Sequence, residues 1–319
     1  MKNAVLGVDI GGTNTKFGLI DKTGTIFYQC TLNTRSYPQY QDMATDLHQR
    51  VTAVIKTHAE PIQLVGAGIG APNGNFYNGN IEFAPNLSWK GIVPIASITS
   101  EIFDIPAFLT NDANAAAIGE MVYGGAQGMK DFVVITLGTG VGSGFVVNGK
   151  VMYGHDGFAG EFGHIIVDHN GRLCGCGRHG CLETYASATG IRQTARELLQ
   201  KDEYKNSLLQ VKAASFSAFD ITEAAQQGDA LAMEAFDSVA RVLGRKLADV
   251  VAITSPEAIF LFGGLAQAGD ILFKPVKEYM EADLLKIFQN KVKVLPSLLN
   301  GSNAAILGAS ALAWNELER

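Results

Sequence analysis

The chain makes one local pattern twice, and that repetition restricts its fold more than any other feature. Residues 4–10 form an apolar run that reads as a buried strand, and Gly11-Gly12-Thr13-Asn14 follows as a turn. Residues 16–20 make a second strand, Asp21-Lys22-Thr23-Gly24 a hairpin turn, and residues 25–32 a third strand. The pattern returns with a strand over 131–137, a Gly/Thr turn over 138–144 and a strand over 145–147. An Asn148-Gly149 hairpin then leads into a strand over 150–153. Duplication of this kind predicts two similar α/β domains facing each other.

Between and after the repeats the periodicity alternates. A helix is expected over 41–56, with Met43, Leu47, Val51, Val54 and Ile55 on one face. A strand follows over 64–70, a helix over 94–103, a strand over 107–110 and a helix of small residues over 112–123. The second half is mostly helical, over 192–200, 221–227 and 230–253. It also carries strands over 257–262 and 292–295 and a closing helix over 303–314. No low-complexity linker divides the chain, so the boundary rests on the repeat. The expected domains are a small N-terminal one, 1–110, joined by the C-terminal helix 303–319, and a larger one, 111–302, carrying a cysteine loop.

Charge and hydropathy remove several classes of function. A net charge of −6 argues against nucleic-acid binding, since phosphate backbones attract basic surfaces. No apolar stretch approaches the ~18 residues a membrane helix needs. The opening run meets Asp9 and Gly11-Gly12 too soon to be a signal peptide, so a cytoplasmic protein without a membrane partner is expected. Three of the four cysteines, Cys174, Cys176 and Cys181, lie within eight residues, and Cys30 stands alone. In a reducing compartment such clustering favours a metal over disulfides.

Five segments can carry chemistry. Asp9-Ile10-Gly11-Gly12-Thr13 sits at a strand's carboxyl end, where paired glycines let backbone N–H groups approach a phosphate and Asp9 can hold a metal-bound water; a simple capped turn is the alternative. Gly138 to Gly144 is a second Gly-rich turn, with Thr139 and Gly140 at its start. Its alternate glycines could line a phosphate channel or merely open a hairpin. This turn departs from the dinucleotide fingerprint, because Ser143 stands where the third glycine would be, and the chain has no P-loop pattern. Gly263-Gly264, after an apolar strand, offers bare backbone to a base or ribose, or to helix packing. Asn111-Asp112 places a carboxylate at a strand end and helix start, where Asp112 is either an N-cap or a general base for phosphoryl transfer. Lastly, Cys174, Cys176 and Cys181 with one imidazole make a tetrahedral Zn²⁺ site of structural type, for which His164, His169 and His179 all have suitable spacing.

Together these segments resemble the ROK family (repressors, open reading frames and kinases) in its kinase branch, to which bacterial glucokinases belong. The resemblance runs from Asp9 to Gly308, and its most specific part is Glu161-x-x-His164 followed by C-x-C-G-x-x-G-C-x-E over 174–183. It implies an actin-like ATPase (ribonuclease H-like) fold, two α/β domains around a central cleft. It implies ATP with Mg²⁺ on Asp9, Gly11, Gly12, Thr13, Thr139 and Gly140, and adenosine beside Gly263 and Gly264. Asp112 matches the catalytic base. Asn86, Asn111, Asp112, Glu161, His164 and Glu183 match positions that hold the sugar. His164, Cys174, Cys176 and Cys181 match the zinc ligands. The implied activity is ATP-dependent phosphorylation of a hexose hydroxyl, with glucose the leading substrate and N-acetylmannosamine, N-acetylglucosamine, fructose and allose the alternatives. A homodimer is also implied. Repressors of the family carry a DNA-binding helix-turn-helix ahead of the Asp-x-Gly-Gly-Thr segment, whereas eight residues precede Asp9 here. One departure stands out: the family's G-x-P-G is replaced by Gly70-Ala71-Pro72-Asn73-Gly74, in a loop that lies by the sugar in relatives. Asn tolerates positive φ better than most residues, which would preserve the turn.

Overall fold

In the computed structural model, which describes residues 1–212, 215–299 and 303–319, each repeat becomes an antiparallel meander that continues into parallel strands. The first comprises β1 (Lys2–Ile10), β2 (Asn14–Ile20) and β3 (Ile26–Asn33), followed by helix α1 (Tyr40–Thr57) and strand β4 (Ile62–Gly70). After a short ribbon of β5 (Ile81–Glu82) and β6 (Ile92–Val93) come α2 (Ile95–Phe103), β7 (Ala107–Thr110) and α3 (Asp112–Tyr123). The sheet order is β3-β2-β1-β4-β7, with β4 parallel to both β1 and β7. The second repeat gives β8 (Phe132–Leu137), β9 (Val141–Val147) and β10 (Lys150–Val151). Helices α4 (Glu183–Ala186), α5 (Ala188–Leu198), α6 (Ala218–Gln226) and α7 (Ala230–Thr254) precede β11 (Ala258–Phe262). Then come α8 (Asp270–Asp283), β12 (Lys293–Pro296) and α9 (Ala304–Leu317). The second sheet runs β10-β9-β8-β11-β12, so both sheets share one order and one sense of pairing. This doubled topology is the actin-like ATPase fold.

The chain divides into two units: Met1–Gly128 with Val151–Ala159 and Leu298–Arg319, and Met129–Lys150 with Gly160–Ser297. In the first, Leu6, Val8 and Ile10 of β1 pack with Met43, Leu47 and Val51 of α1 and with Ile95 and Ile98 of α2. Strand residues alternate between faces, so Gly7 and Gly68 lie on the opposite side, against α9. A Cβ on either would run into the α9 backbone at Ile306 or Ala309. In the second unit, Val133, Ile135, Ile259 and Leu261 of β8 and β11 are buried with Phe236, Leu243 and Leu247 of α7.

Four differences from the sequence reading have clear causes. First, the division at 110/111 is not where the packing falls. Helix α3 belongs with the first unit, because Ile118 packs with Ala311 and Leu312 of α9 and a Cβ on Gly308 would meet the Ala115 carbonyl. The last residues of the expected second domain, 300–302, lie outside the described residues. Second, the glycine-rich turn is confined to 138–140. Gly142 and Gly144 are ladder residues of β9, paired with Thr136 and Val134. Third, α5 begins at Ala188 because Ser187 caps it, its hydroxyl accepting from Gly190 N at 3.0 Å. Fourth, the helix expected after Gly263-Gly264, to which the sequence assigns no bounds, starts only at Asp270 as α8; Pro275 sits inside it, and burial of Leu272, Val276 and Met280 carries the helix through the lost backbone donor.

Gly68→Val places two methyl groups where α9 backbone already stands. We expect a loss of ~1–3 kcal/mol, read as a lower urea midpoint by tryptophan fluorescence. A midpoint equal to the parent's would show that α9 is not held this closely.

Candidate active site and metal centre

Parallel pairing sets the carboxyl ends of β1, β4 and β7 side by side. Asp9 stands opposite Gly70 on β4 and opposite Lys16 on β2, while Gly70 pairs with Thr110. Each strand is followed by a site segment: residues 11–13, residues 71–74 and Asn111-Asp112. Gly11 N donates to Asn14 O at 3.0 Å and Thr34 N to Thr13 O at 2.8 Å, which closes the first turn. A methyl on Gly12 would stand 2.5 Å from the Asn86 carbonyl oxygen, so only glycine admits the Asn86 stretch here. Asp9, Gly11, Gly12, Thr13 and Asn86 are thus brought together.

The capping question at Asn111-Asp112 has a definite outcome. Asn111 is the N-cap of α3, its Oδ1 accepting from Asn114 N at 2.7 Å. Asp112 occupies the first helical position and accepts from Ala113 N at 2.8 Å through Oδ1. With the cap supplied by its neighbour, the Asp112 carboxyl is not needed to start the helix. Asp112 is exposed to solvent, and neighbouring groups remove part of the water around its carboxyl. That desolvation raises its pKa above the usual carboxylate range, against the lowering pull of the backbone N–H groups. Asp9 is raised to about 7, chiefly by burial and then by the Asp112 charge, with Lys16 opposing. Lys16 escaped the sequence reading. Its signal was the hairpin register, which places the residue seven after Asp9 directly across from it.

The departing turn places Asn73 in the left-handed region. Asn73 adopts φ +51°, its Nδ2 donates to Glu82 O at 2.9 Å, and Glu82 N returns a bond to Asn73 O at 3.1 Å. Gly74 lies over Thr110, where a Cβ would come within 2.5 Å of the carbonyl oxygen.

The second unit holds the remaining candidates. Gly138 N donates to Gly140 O at 3.1 Å, and a methyl on Gly140 would meet Glu183 Oε2 at 2.5 Å, so Thr139, Gly140 and Glu183 share one neighbourhood. Gly263, at φ +107°, lies on the end of β8, where a Cβ would fall 2.5 Å from Leu137 O. Gly264 leads into a short 3₁₀ turn, Leu265–Ala268. Glu161 directly precedes the 3₁₀ turn Phe162–His164.

One ligand atom from each of His164, Cys174, Cys176 and Cys181 falls within 4.8 Å of all the others. Cys176 Sγ and Cys181 Sγ are 3.6 Å apart, and Cys174 Sγ lies 3.7 Å from His164 Nδ1. A tetrahedral zinc with Zn–S bonds of about 2.3 Å spaces its sulfurs by roughly 3.8 Å, so the donor set fits that ion. Of the three histidines, His164 joins the sulfurs; His179 Nδ1 instead meets Gly171 O at 3.0 Å, and His169 is exposed. Burial pushes the Cys174 thiol up. Burial opposes ionisation of Cys176, but the side-chain and backbone hydrogen bonds from Arg178, with those from Cys174 and Cys181, together outweigh it and bring that thiol down to about 6. Glu183 Oε1 accepts from Cys174 Sγ at 2.9 Å, tying this carboxylate to the donor set.

Residues 5–316 match the ROK family. The chain belongs to the ROK family. It is 36% identical to a glucokinase of Halalkalibacterium halodurans over 313 residues, covering 96% of this chain and 94% of that one. It is 29% identical to the xylose repressor of Bacillus subtilis, covering 96% of this chain and 76% of the repressor. A ROK glucokinase from Streptomyces griseus, solved with glucose and AMPPNP, superposes with a TM-score of 0.82 at 33% identity, covering 98% of this chain and 99% of that one.

Two outcomes follow for this ROK chain. A raised carboxyl costs stability once the unfolded chain would be ionised: with Asp9 near 7 against an unfolded 3.8, the penalty develops between about pH 4 and 7 and is complete at pH 8. Asp9→Asn should therefore be the more stable protein at pH 8, by roughly 1–4 kcal/mol, with the gap closing by pH 4. Thermal melts at both pH values check this, and equal gaps would contradict it. Separately, Cys176→Ser should lose zinc, while Glu183→Gln keeps it, as read by metal analysis of purified variants. A parent protein without zinc would overturn the assignment.

Proposed function

We propose that this protein is an ATP-dependent sugar kinase whose leading substrate is glucose, phosphorylated at a single hydroxyl. The observation that carries this reading is Asp112: a carboxyl released from capping by Asn111, accessible to solvent, and raised in pKa by the protein around it. Such a group suits a proton acceptor, because a base is most effective when its pKa approaches working pH.

In the proposed reaction the sugar hydroxyl attacks the γ-phosphorus of ATP. The new O–P bond forms as the bond to the ADP oxygen breaks, and Asp112 takes the hydroxyl proton. Asn86, Asn111, Asp112, Glu161, His164 and Glu183 are assigned to the sugar. Asn111 Oδ1 is engaged as the cap, and its Nδ2 stays available to a sugar oxygen as a donor. Residues 11–13 and 139–140 supply backbone N–H groups to the phosphates, and Gly263-Gly264 leaves bare backbone for adenosine. Asp9 would hold Mg²⁺, whose charge offsets that of the phosphates. The zinc ligands would hold their metal as a loop organiser outside the chemistry, with His164 using Nδ1 for the metal and Nε2 for a sugar hydroxyl.

Similarity to xylose repressors raises a sugar-sensing alternative, which gives an accessible, high-pKa Asp112 no task. A coupled ADP-release assay over hexoses and N-acetylhexosamines separates the readings. We expect glucose to give the highest kcat/KM, and Asp112→Asn to lower kcat by about 10²–10⁴-fold. The acid limb of the pH–rate profile should lie above the usual carboxylate range, since activity needs Asp112 ionised. Turnover of Asp112→Asn within a few-fold of the parent would end the catalytic role. Preference for N-acetylmannosamine or fructose would overturn glucose and leave the kinase standing.

A further inference from the structure

Arg172 stands at the base of the cysteine loop, two residues before Cys174, and its side chain is only 11% exposed. A buried guanidinium is tolerable only when its donors are met, and both terminal nitrogens have two partners here. Nη1 donates to Thr184 O at 2.8 Å and to Gly190 O at 3.2 Å. Nη2 donates to Thr194 Oγ1 at 2.9 Å and to Glu197 Oε2 at 2.6 Å. The guanidinium carbon lies 4.7 Å from the centroid of the Tyr185 ring. The Arg172 backbone takes part as well: its N donates to Tyr185 Oη at 3.1 Å, and its O accepts from Gly180 N at 2.8 Å.

These bonds join the cysteine loop to two helices at once. Helix α4 is a single turn of four residues, too short to be held by its own hydrogen bonds. Its first residue is Glu183, and the carbonyl that Arg172 engages belongs to the next, Thr184. Arg172 therefore grips α4 beside the carboxylate assigned to the sugar, while α5 provides the anchorage.

We propose that Arg172 is a positioning residue: it fixes α4, and with it the Glu183 carboxylate, from the base of the loop, independently of a metal at the loop's tip. The role in sugar binding rests on the reading of Glu183 given above. Lysine cannot substitute, because one ammonium can keep the Glu197 ion pair but lacks the planar fork that reaches carbonyls on both helices.

The test compares zinc-loaded parent, Arg172→Lys, Thr194→Val and Glu197→Gln. Arg172→Lys should retain the parent's zinc content and exchange the amides of residues 183–186 about 10-fold faster. Its KM for the best sugar of the panel should rise by about 10–100-fold, with kcat within ~3-fold and the KM for ATP unchanged. Thr194→Val, which removes one acceptor and leaves the guanidinium, should shift both readouts the same way by less. Glu197→Gln should match the parent throughout, because that end of the pair is 55% exposed and such pairs contribute little. Parent-like sugar KM in Arg172→Lys overturns the proposal, as does loss of zinc and kcat together with KM, which would mark general damage. If Arg172→Lys does not fold, Thr194→Val decides, and parent-like exchange and KM there overturn it. A parent that phosphorylates no sugar would sink the kinase reading alone; exchange at 183–186 would still judge the clamp.

Discussion

Everything at the first half of the site depends on the parallel pairing of β1, β4 and β7. Hydrogen bonding in register sets Asp9 against Gly70 and Gly70 against Thr110, so three turns distant in sequence start from adjacent strand ends. Such pairing needs crossovers, and α1 and α2 supply them while covering one face of the sheet with Met43, Leu47, Val51, Ile95 and Ile98. The other face is closed by α9, which approaches so nearly that Gly7 and Gly68 can carry no side chain. Substituting either would disturb the sheet from which Asp9 and the turns project, although neither touches them.

The same geometry explains why two carboxyls here are raised. Asp9 and Asp112 share the strand-end region, each desolvated, and the charge on Asp112 pushes Asp9 further up. A fold selected only for stability would avoid this. In the proposed reaction the arrangement is useful: one carboxyl would be the base for the hydroxyl proton, and the other would meet a cation beside the phosphates. Asn111 makes it possible by taking over the cap, so ionisation of Asp112 can change without unwinding the first turn of α3.

In the second unit the order of the cysteine loop comes from two sources. The tip gathers three sulfurs and an imidazole at spacings that a tetrahedral ion requires. The base is held by Arg172, whose buried guanidinium spans α4 and α5. Glu183 lies between them, bonded to Cys174 on one side and crowding Gly140 on the other. The carboxylate assigned to the sugar therefore stands beside the cysteine loop and the second glycine turn, on the helix that Arg172 holds.

Much of this was legible in the chain. Alternating and continuous apolar runs with Gly and Asn-Gly turns fix strands and hairpins, because those signals act over a few residues; the spans over 107–110 and 112–123 coincide with β7 and α3. The cysteine spacing singled out the three sulfurs for the same local reason, whereas the choice of His164 over His169 and His179 is made by packing. What lay beyond reach was whatever depends on residues far apart. Gly142 and Gly144 read as a loop, yet pairing with β8 makes them strand. Pro275 discourages a helix, yet burial of Leu272, Val276 and Met280 enforces one. The choice of Asn111 over Asp112 as cap, the placement of α3 with the first unit, the raised carboxyl of Asp9 and the five-partner clasp of Arg172 each require knowing which groups surround a residue in space. Sequence spacing determines which chemistry the chain can offer; packing alone decides which of those groups lose their water and which partners they meet.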